Sequence, residues 1–388
     1  MPTAAALSFE EFCRAEQAWN ALVAASSRPQ PFLSHRWLRL WWRHFGAGQE
    51  FNALVVRDGD RLLAGIPIAL RKVRVAGATL TVGEIVGTGP VPTRGMGLAD
   101  QADLVVRVDS PASGRLLAAE LMSMLDRVDV FDIKGFDRSS PTADLLRTAA
   151  ARSGSVRVLN RSVSPFLRLP PSWDGYLESR SRNFRKHLVK YERMLAQAGK
   201  LVIQRMDKNE DPEAWMRELL QVNAASWTAA RGTDLLRPPQ IRGFMRELVS
   251  EFVPRGWIDL WLLRLGGQPI ACELCFDFAG RVCSYHSSFR KEYAKLSPGT
   301  VLTAAVIRSA CERGRSEYDL LRGAEAYKSR WSETVRSELQ LLAPADRWRA
   351  RLLGCPYLYL KGRLKSWPWV DRLDYRISGL IYRLRYRR

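Results

Sequence analysis

The sequence predicts an α/β fold (α+β, with mixed sheets) that is built twice in tandem and ends in a basic helical tail. Three observations carry this. Apolar strand-like runs follow helical patterns in both halves of the 388-residue chain, a length that suits two domains of roughly 100 to 200 residues each. Two short segments recur in the same order. The positive charge is concentrated at the C-terminal end.

Taken in order, helical patterns cover 8–25 and 34–45. In the second of these Trp37, Trp41 and Phe45 recur at i, i+4 and i+8, the spacing of a stripe turned to a core. The strand-like runs FNALVV, LLAGIPIAL, ATLTVGEIV, ADLVVRV and VFDIKGF follow, with a helix around 113–127 before the last. VRVLNRSVSPFLRL (156–169) leads into a basic helical segment over 172–198. The second half repeats the scheme. Helices near 211–230 and 238–253 precede the strands IDLWLLRL, PIACELCFDF and RVCSYHSSF, then a helix from Pro298 and the short strand EYDLL. GIPIA at 65–69 is echoed by GQPIA at 267–271, and FDIKG at 131–135 by YDLLRG at 318–323. Pro165, Pro170 and Pro171 punctuate the joint. The expected domains are 1–170, 171–345 and a tail, 346–388. Where the second copy starts a helix with Pro-Gly, the first has the long loop VGTGPVPTRGMGLAD, so the second copy is expected to be the active one and the first to lack a cofactor site of its own.

Composition narrows the function. No apolar run approaches the roughly 18 residues of a membrane-spanning helix, and the N-terminus has no basic head or apolar stretch of a secretory signal. The six cysteines are scattered, which fits a reducing cytoplasm better than a disulfide framework. Cys272 and Cys275 lie three apart in a strand and so face opposite sides; no metal is expected. The net charge of +20 points to anionic partners. From Asp346 onward, 12 Lys/Arg stand against 3 Asp/Glu, mixed with Trp348, Tyr357, Tyr359, Trp367, Trp369, Tyr375 and Tyr382. Such a mixture suits peripheral contact with an anionic membrane surface, or a helical appendage packed on its domain.

The candidate site is the segment KLSPGT. Ser297 is an N-cap type, Pro298 fits the first helical position where no N–H is needed, and Gly299 leaves the backbone bare. Either this is a well-capped helix, or its free N–H groups hold a phosphate. Beside it, a two-residue turn at Ala279-Gly280 would set Glu273 opposite His286 and Cys275 opposite Ser284, with Glu273 and His286 on one face. An amine nucleophile must lose a proton before it attacks, and a carboxylate-oriented imidazole can accept it. Asp319 ends the later strand and Tyr327 and Lys328 follow it, where α/β units turn residues toward a ligand crevice. Tyr327 is a candidate proton donor to a leaving group, and Lys328 suits a phosphate or an acidic acceptor. Arg182, Arg185 and Lys186 open the basic helix and form either a phosphate-bearing substrate contact or a solvated face.

The order of antiparallel strands, helix start and Tyr-Asp-x-x-x-Gly strand resembles the GNAT superfamily of acyltransferases. PFLSHRWLRLWWRHF, GIPIAL, SPFLRLP, SPGTVLTAAVIRSACERG and YDLLRGAEAYKSRW resemble, over about 10–340, the CelD/BcsL-type proteins, which are similar to FemABX transferases and have tandem GNAT domains. The resemblance implies acyl transfer from acetyl-CoA or another acyl-CoA to an amine, with no metal. It implies that Leu296, Ser297, Gly299 and Thr300 hold the cofactor pyrophosphate on backbone amides. It implies an acceptor on a small amine or a sugar or peptide precursor, at envelope polysaccharide assembly, and a cytoplasmic place at the inner membrane surface. Two alternatives stay open: an aminoacyl-tRNA donor, as in FemABX relatives, tRNA then being the nucleic acid bound; and a non-catalytic scaffold for polysaccharide assembly.

Overall fold

The computed structural model describes residues 1–91, 97–152, 156–231 and 234–365. The chain runs β1 (Thr3–Leu7), α1 (Phe9–Arg14), α2 (Glu16–Ala24), α3 (His35–Phe45), β2 (Glu50–Asp58), β3 (Arg61–Val75), β4 (Ala78–Ile85), β5 (Val105–Val106), α4 (Pro111–Ser123), β6 (Val130–Asp137), α5 (Pro141–Arg152) and β7 (Arg157–Arg168). It continues α6 (Trp173–Glu178), α7 (Arg182–Ala198), β8 (Leu201–Arg205), α8 (Pro212–Ala224), α9 (Trp227–Arg231), α10 (Pro239–Phe252), β9 (Ile258–Leu265), β10 (Gln268–Phe278), β11 (Arg281–Phe289), α11 (Pro298–Glu312), β12 (Glu317–Asp319), β13 (Val335–Pro344) and α12 (Cys355–Lys365).

Two compact units result: Met1–Val163 with Arg336–Arg388, and Ser164–Val335. The first unit's sheet runs β1-β2-β3-β4-β6-β13, and the second's β8-β9-β10-β11-β12 followed by the end of β7. The pairings match step for step. Three antiparallel pairs are followed by a parallel one, β4 with β6 or β11 with β12, and then an antiparallel closing strand. The mixed α/β architecture and its duplication are therefore as the sequence predicts.

Local chemistry explains the equivalent hairpins. β3 turns into β4 through Ala76-Gly77, with φ 48° and 83°, and β10 into β11 through Ala279-Gly280, with φ 50° and 77°. Two successive positive φ values match the right-handed twist of the strands they join, and glycine at the second position makes this conformation accessible. The helices show the expected stripes: Trp37, Trp41 and Phe45 are buried, α3 laying them into the first unit. The first core gathers Ile66, Ile68, Phe131 and Ile133 from β3 and β6. The second gathers Leu263, Cys275, Val306, Ile307 and Tyr318 from β9, β10, α11 and β12.

The structure differs from the sequence reading in several places. β13 lies in the first unit, where it pairs with β6 from Glu338↔Asp137 to Pro344↔Val130, although its position in the chain suggested the second domain. The strand that closes the second unit is the end of β7, Asp319 pairing with Phe166. Each unit thus closes on the strand that chain order would give the other copy. The GIPIA echo is not structurally equivalent: Gly65 lies inside β3, whereas Gly267 is in a turn with φ 85°. Conversely, the first copy does have a Ser-Pro helix start. Ser110 and Pro111 open α4 as Ser297 and Pro298 open α11. The tail continues the first unit: Ala350, Cys355 and Leu358 bury into its core, and the remaining aromatic residues of the tail from Trp367 onward lie outside the described residues. Among the described residues no helix is long and apolar enough to cross a membrane.

Candidate active site

The first turn of α11 is built differently from the expected cap. Ser297 occupies the cap position but is left-handed (φ 52°, ψ 47°), and its side chain makes no capping bond. Its carbonyl instead accepts from the N–H groups of Thr300 at 3.0 Å and Val301 at 3.4 Å. Pro298 has no N–H, so the Gly299 N–H is the amide of this turn left for a ligand. A Cβ added at Gly299 would lie 3.3 Å from the Phe289 ring, so close packing also favours glycine there. Leu296 packs against the core of the second unit.

A cavity of about 590 Å³ lies against this turn. Thr300 lines it, as do Asn183, His187 and Tyr191 of α7, and Arg180, Tyr327 and Arg330. Its charge is biased: two arginines and an imidazole face the single carboxylate of Glu333. Arg180 is held by the Trp331 carbonyl at 3.0 Å and lies over the Tyr176 ring at 5.6 Å. Tyr327 is 45% exposed, and its hydroxyl end lies near Ser287. Burial of that end, with Glu325 and Glu273 near it, pushes the phenol above its ordinary value and keeps it protonated.

The other candidate residues take structural places. Lys328 is buried and donates to the carbonyls of Leu321 at 3.3 Å and Arg322 at 2.7 Å, with Glu325 at 3.1 Å. It clamps the loop after β12 and has no donor to spare for a substrate. Asp319 is buried too, accepting from the Leu321 N–H at 2.8 Å. Arg182, Arg185 and Lys186 are exposed on the outer face of α7 and do not line the cavity.

Glu273 and His286 do not pair. The turn at 279–280 is as expected, and Cys275 does face Ser284. A bulge then shifts the register between Leu274 and Cys275, so Glu273 faces Ser287 and Leu274 faces His286. One extra residue moves every later side chain of a strand to the other face. His286 contacts Asn223 of α8 at 3.1 Å, and burial holds its ring below the usual histidine range. Glu273 is 1% exposed and accepts from Ser284 at 2.8 Å, Thr303 at 2.9 Å and the Tyr318 hydroxyl. It ties β10, β11, β12 and α11 together. Burial, and then Glu273 itself, pushes the Tyr318 phenol up, so Tyr318 stays a donor. Cys272 bonds the Leu219 carbonyl of α8 at 3.9 Å while Cys275 bonds Glu273 at 3.4 Å, on opposite sides of the strand. Among the described residues no group of acidic, histidine or cysteine side chains could hold a metal ion.

Residues 182–329, all within the second unit, match the family model of the acetyltransferase (GNAT) domain. The second unit is a GNAT acyltransferase domain. No curated protein matches the chain. Among solved structures it is similar to FemX, at 12% identity over 87% of this chain and 96% of that one, with a TM-score of 0.58. It is also similar to the C-terminal domain of a putative lysylphosphatidylglycerol synthetase from Agrobacterium fabrum (11% identity, 87% and 92%, TM-score 0.52). A third is a conserved protein of unknown function from Bacteroides thetaiotaomicron (11% identity, 85% and 97%, TM-score 0.51). At these identities the likeness concerns the fold alone. With the duplicated strand order it gives the chain a FemABX-like tandem GNAT fold.

Of the residues lining the GNAT domain's cavity, several are not singled out by the sequence, Arg180, Asn183, His187 and Arg330 among them. A signal existed for α7, since Asn183, His187 and Tyr191 stand at i, i+4 and i+8 and share one helix face. The cavity suits an anionic ligand in charge, and its roughly 590 Å³ falls in the range of small-molecule sites.

Proposed function

We propose that the GNAT domain transfers an acyl group from acyl-CoA, acetyl-CoA in the simplest case, to an amine carried by a sugar or peptide precursor. The supporting observation is that the basic cavity against the first turn of α11 falls inside the segment that matches the acetyltransferase family. Arg180, Arg330 and the Gly299 N–H would take the phosphates, a role that suits guanidinium groups and a helix N-terminus together. The amine nitrogen attacks the thioester carbonyl, a C–N bond forms and the C–S bond breaks. His187 is the cavity's proton acceptor for the amine, and Tyr327, held protonated, donates a hydrogen bond to the departing sulfur. Glu273 positions α11 and does not act on substrate in this scheme. Calorimetric titration with acetyl-CoA and longer acyl-CoAs tests the reading. Micromolar binding that Arg330→Ala weakens is expected, and failure of every acyl-CoA to bind overturns it.

A second reading, transfer from aminoacyl-tRNA, is favoured by one observation. Arg182, Arg185, Lys186, Lys190 and Arg193 are all exposed on α7. Binding of tRNA that falls steeply with salt, and no binding of acyl-CoA, would establish it. An inner-membrane place, with the basic tail on anionic lipid, goes with an envelope precursor as acceptor, and co-sedimentation with anionic vesicles tests it.

A further inference from the structure

The first unit has a cavity of its own, of about 390 Å³. It lies at the place in the first unit that corresponds to the second unit's cavity: it is lined by Pro111, the first residue of α4, and by the segment that follows β6. Its apolar wall includes Leu33, Leu104 and Val106.

The polar side of this cavity contains an unmet group. Gln30 is 3% exposed, and its amide nitrogen donates to the Gln101 side-chain oxygen at 3.1 Å. Its own Oε1 is buried on the cavity wall with no hydrogen-bond partner. A buried carbonyl oxygen without a donor is unfavourable, and a ligand N–H or O–H would relieve it.

The charges around it are balanced. Asp103 accepts from Ser140 at 2.6 Å and from Thr142, and Asp137 lies 3.6 Å from Arg28. Arg107 is held by Asp109 at 2.9 Å. Two carboxylates and two guanidinium groups thus line one small space. Arg28 and Asp137 pair with each other, so a ligand of one sign would meet a like charge beside each opposite one, whereas a ligand with both signs can match both members of the pair.

We propose that the first unit's cavity binds a free amino acid, or a zwitterion of that size and class. Its ammonium group donates to Gln30 Oε1, with the carboxylates of Asp103 and Asp137 to balance its charge, and its carboxylate is balanced by Arg28 and Arg107. The proposal goes beyond acyl transfer, which uses the second unit, and stands or falls separately from it.

The test is calorimetric titration of the full chain with each common L-amino acid. For any that binds, its deaminated acid and its decarboxylated amine are titrated next. Binding of an amino acid is expected, with each counterpart weaker by about tenfold or more, the scale of a lost charge-assisted hydrogen bond. Gln30→Leu should weaken that binding by about tenfold, with acetyl-CoA titrated separately as a control. Should Gln30→Leu fail to fold, Arg28→Met at the rim serves in its place, with the same loss expected. The proposal is overturned if no amino acid binds. It is equally overturned if a counterpart lacking one charge binds as well as the parent, or if a folded variant binds unchanged.

Discussion

The two units have the same strand order but fill the crevice beyond their parallel strand pair in opposite ways. In the first, one residue past the last paired rung stands Glu84, ion-paired with Arg71 of β3 and Lys134 of β6. Lys134 also meets Asp132 at 2.8 Å, and Gln340 of β13 donates to Asp132 at 2.7 Å. In the second, the corresponding residue past the rung is Ser284, whose hydroxyl donates to Glu273 with Thr303 and Tyr318 as further donors. In the first unit this position is filled by a cluster of charges that need one another, and none of them lines the unit's cavity at the start of α4. The second is lined by neutral hydroxyls around one carboxylate, and its cavity lies next to the start of α11. The difference teaches that duplication of a fold leaves the side chains just past its parallel strand pair free to become either an ion-paired cluster or a set of hydroxyls around one carboxylate. Either arrangement needs its partners in place, because buried charges without partners are costly.

The largest expected effect breaks the first unit's charge cluster. Glu84→Gln leaves Arg71 and Lys134 buried without their shared anion and should cost about 3–5 kcal/mol of stability, read by urea unfolding. Burial alone would raise the Glu84 carboxyl, yet Lys134 and Arg71 bring it well below the usual range, the mark of a charge the fold depends on. A loss under about 1 kcal/mol would show that the fold does not depend on the cluster.

The matching change in the second unit is Glu273→Leu. It strips the acceptor from three buried hydroxyls and should cost about 2–4 kcal/mol, with Glu273→Gln costing less because one oxygen remains. Acyl transfer should fall only as far as the folded fraction does. Loss of activity in a fully folded Glu273→Gln would instead make this carboxylate part of the chemistry.

Next in size is a pH effect in the first unit. Burial pushes the Asp103 carboxyl up to about 6, against the hydrogen bonds from Ser140 and Thr142. A folded-state value above the unfolded one of about 3.9 means the fold prefers the protonated acid. That stabilisation is complete below about pH 4 and is lost as pH rises through about 6. Asp103→Asn, neutral throughout, should therefore exceed the parent by about 1–2 kcal/mol at pH 8 and match it near pH 4. Urea midpoints at the two pH values check the sign.

The smallest effect concerns the first turn of α11. Gly299→Ala sets a methyl group 3.3 Å from Phe289, a contact the ring can yield to, so stability should fall by less than about 1 kcal/mol. Acetyl-CoA binding should weaken by more than that if the Gly299 N–H holds a phosphate. An unchanged titration would remove this amide from the site.

Much of this was legible in the residues. The hairpin at Ala279-Gly280, the buried stripe of α3 and the opposed faces of Cys272 and Cys275 all follow from local periodicity and turn chemistry. β1 and β8 were missed because five-residue strands give too little alternation to read, and β13 because VRSELQLLAP does not alternate cleanly. The Ser-Pro start of α4 was overlooked in favour of the longer loop before it. The Glu273–His286 pair failed at a single bulge, whose presence depends on how β10 meets both of its neighbours.

By itself, the sequence determined the element types, the repeat, the turns and the placing of a helix start at Pro298, since each is fixed by interactions within a few residues. Only the tertiary structure decided which strand closes each unit, which face of β11 carries His286, that Lys328 clamps a loop, and that His187 and Arg180 meet Thr300 around one cavity. Those outcomes join residues far apart in the chain. A one-residue shift in any strand would reassign them, and no local pattern in the sequence records that shift.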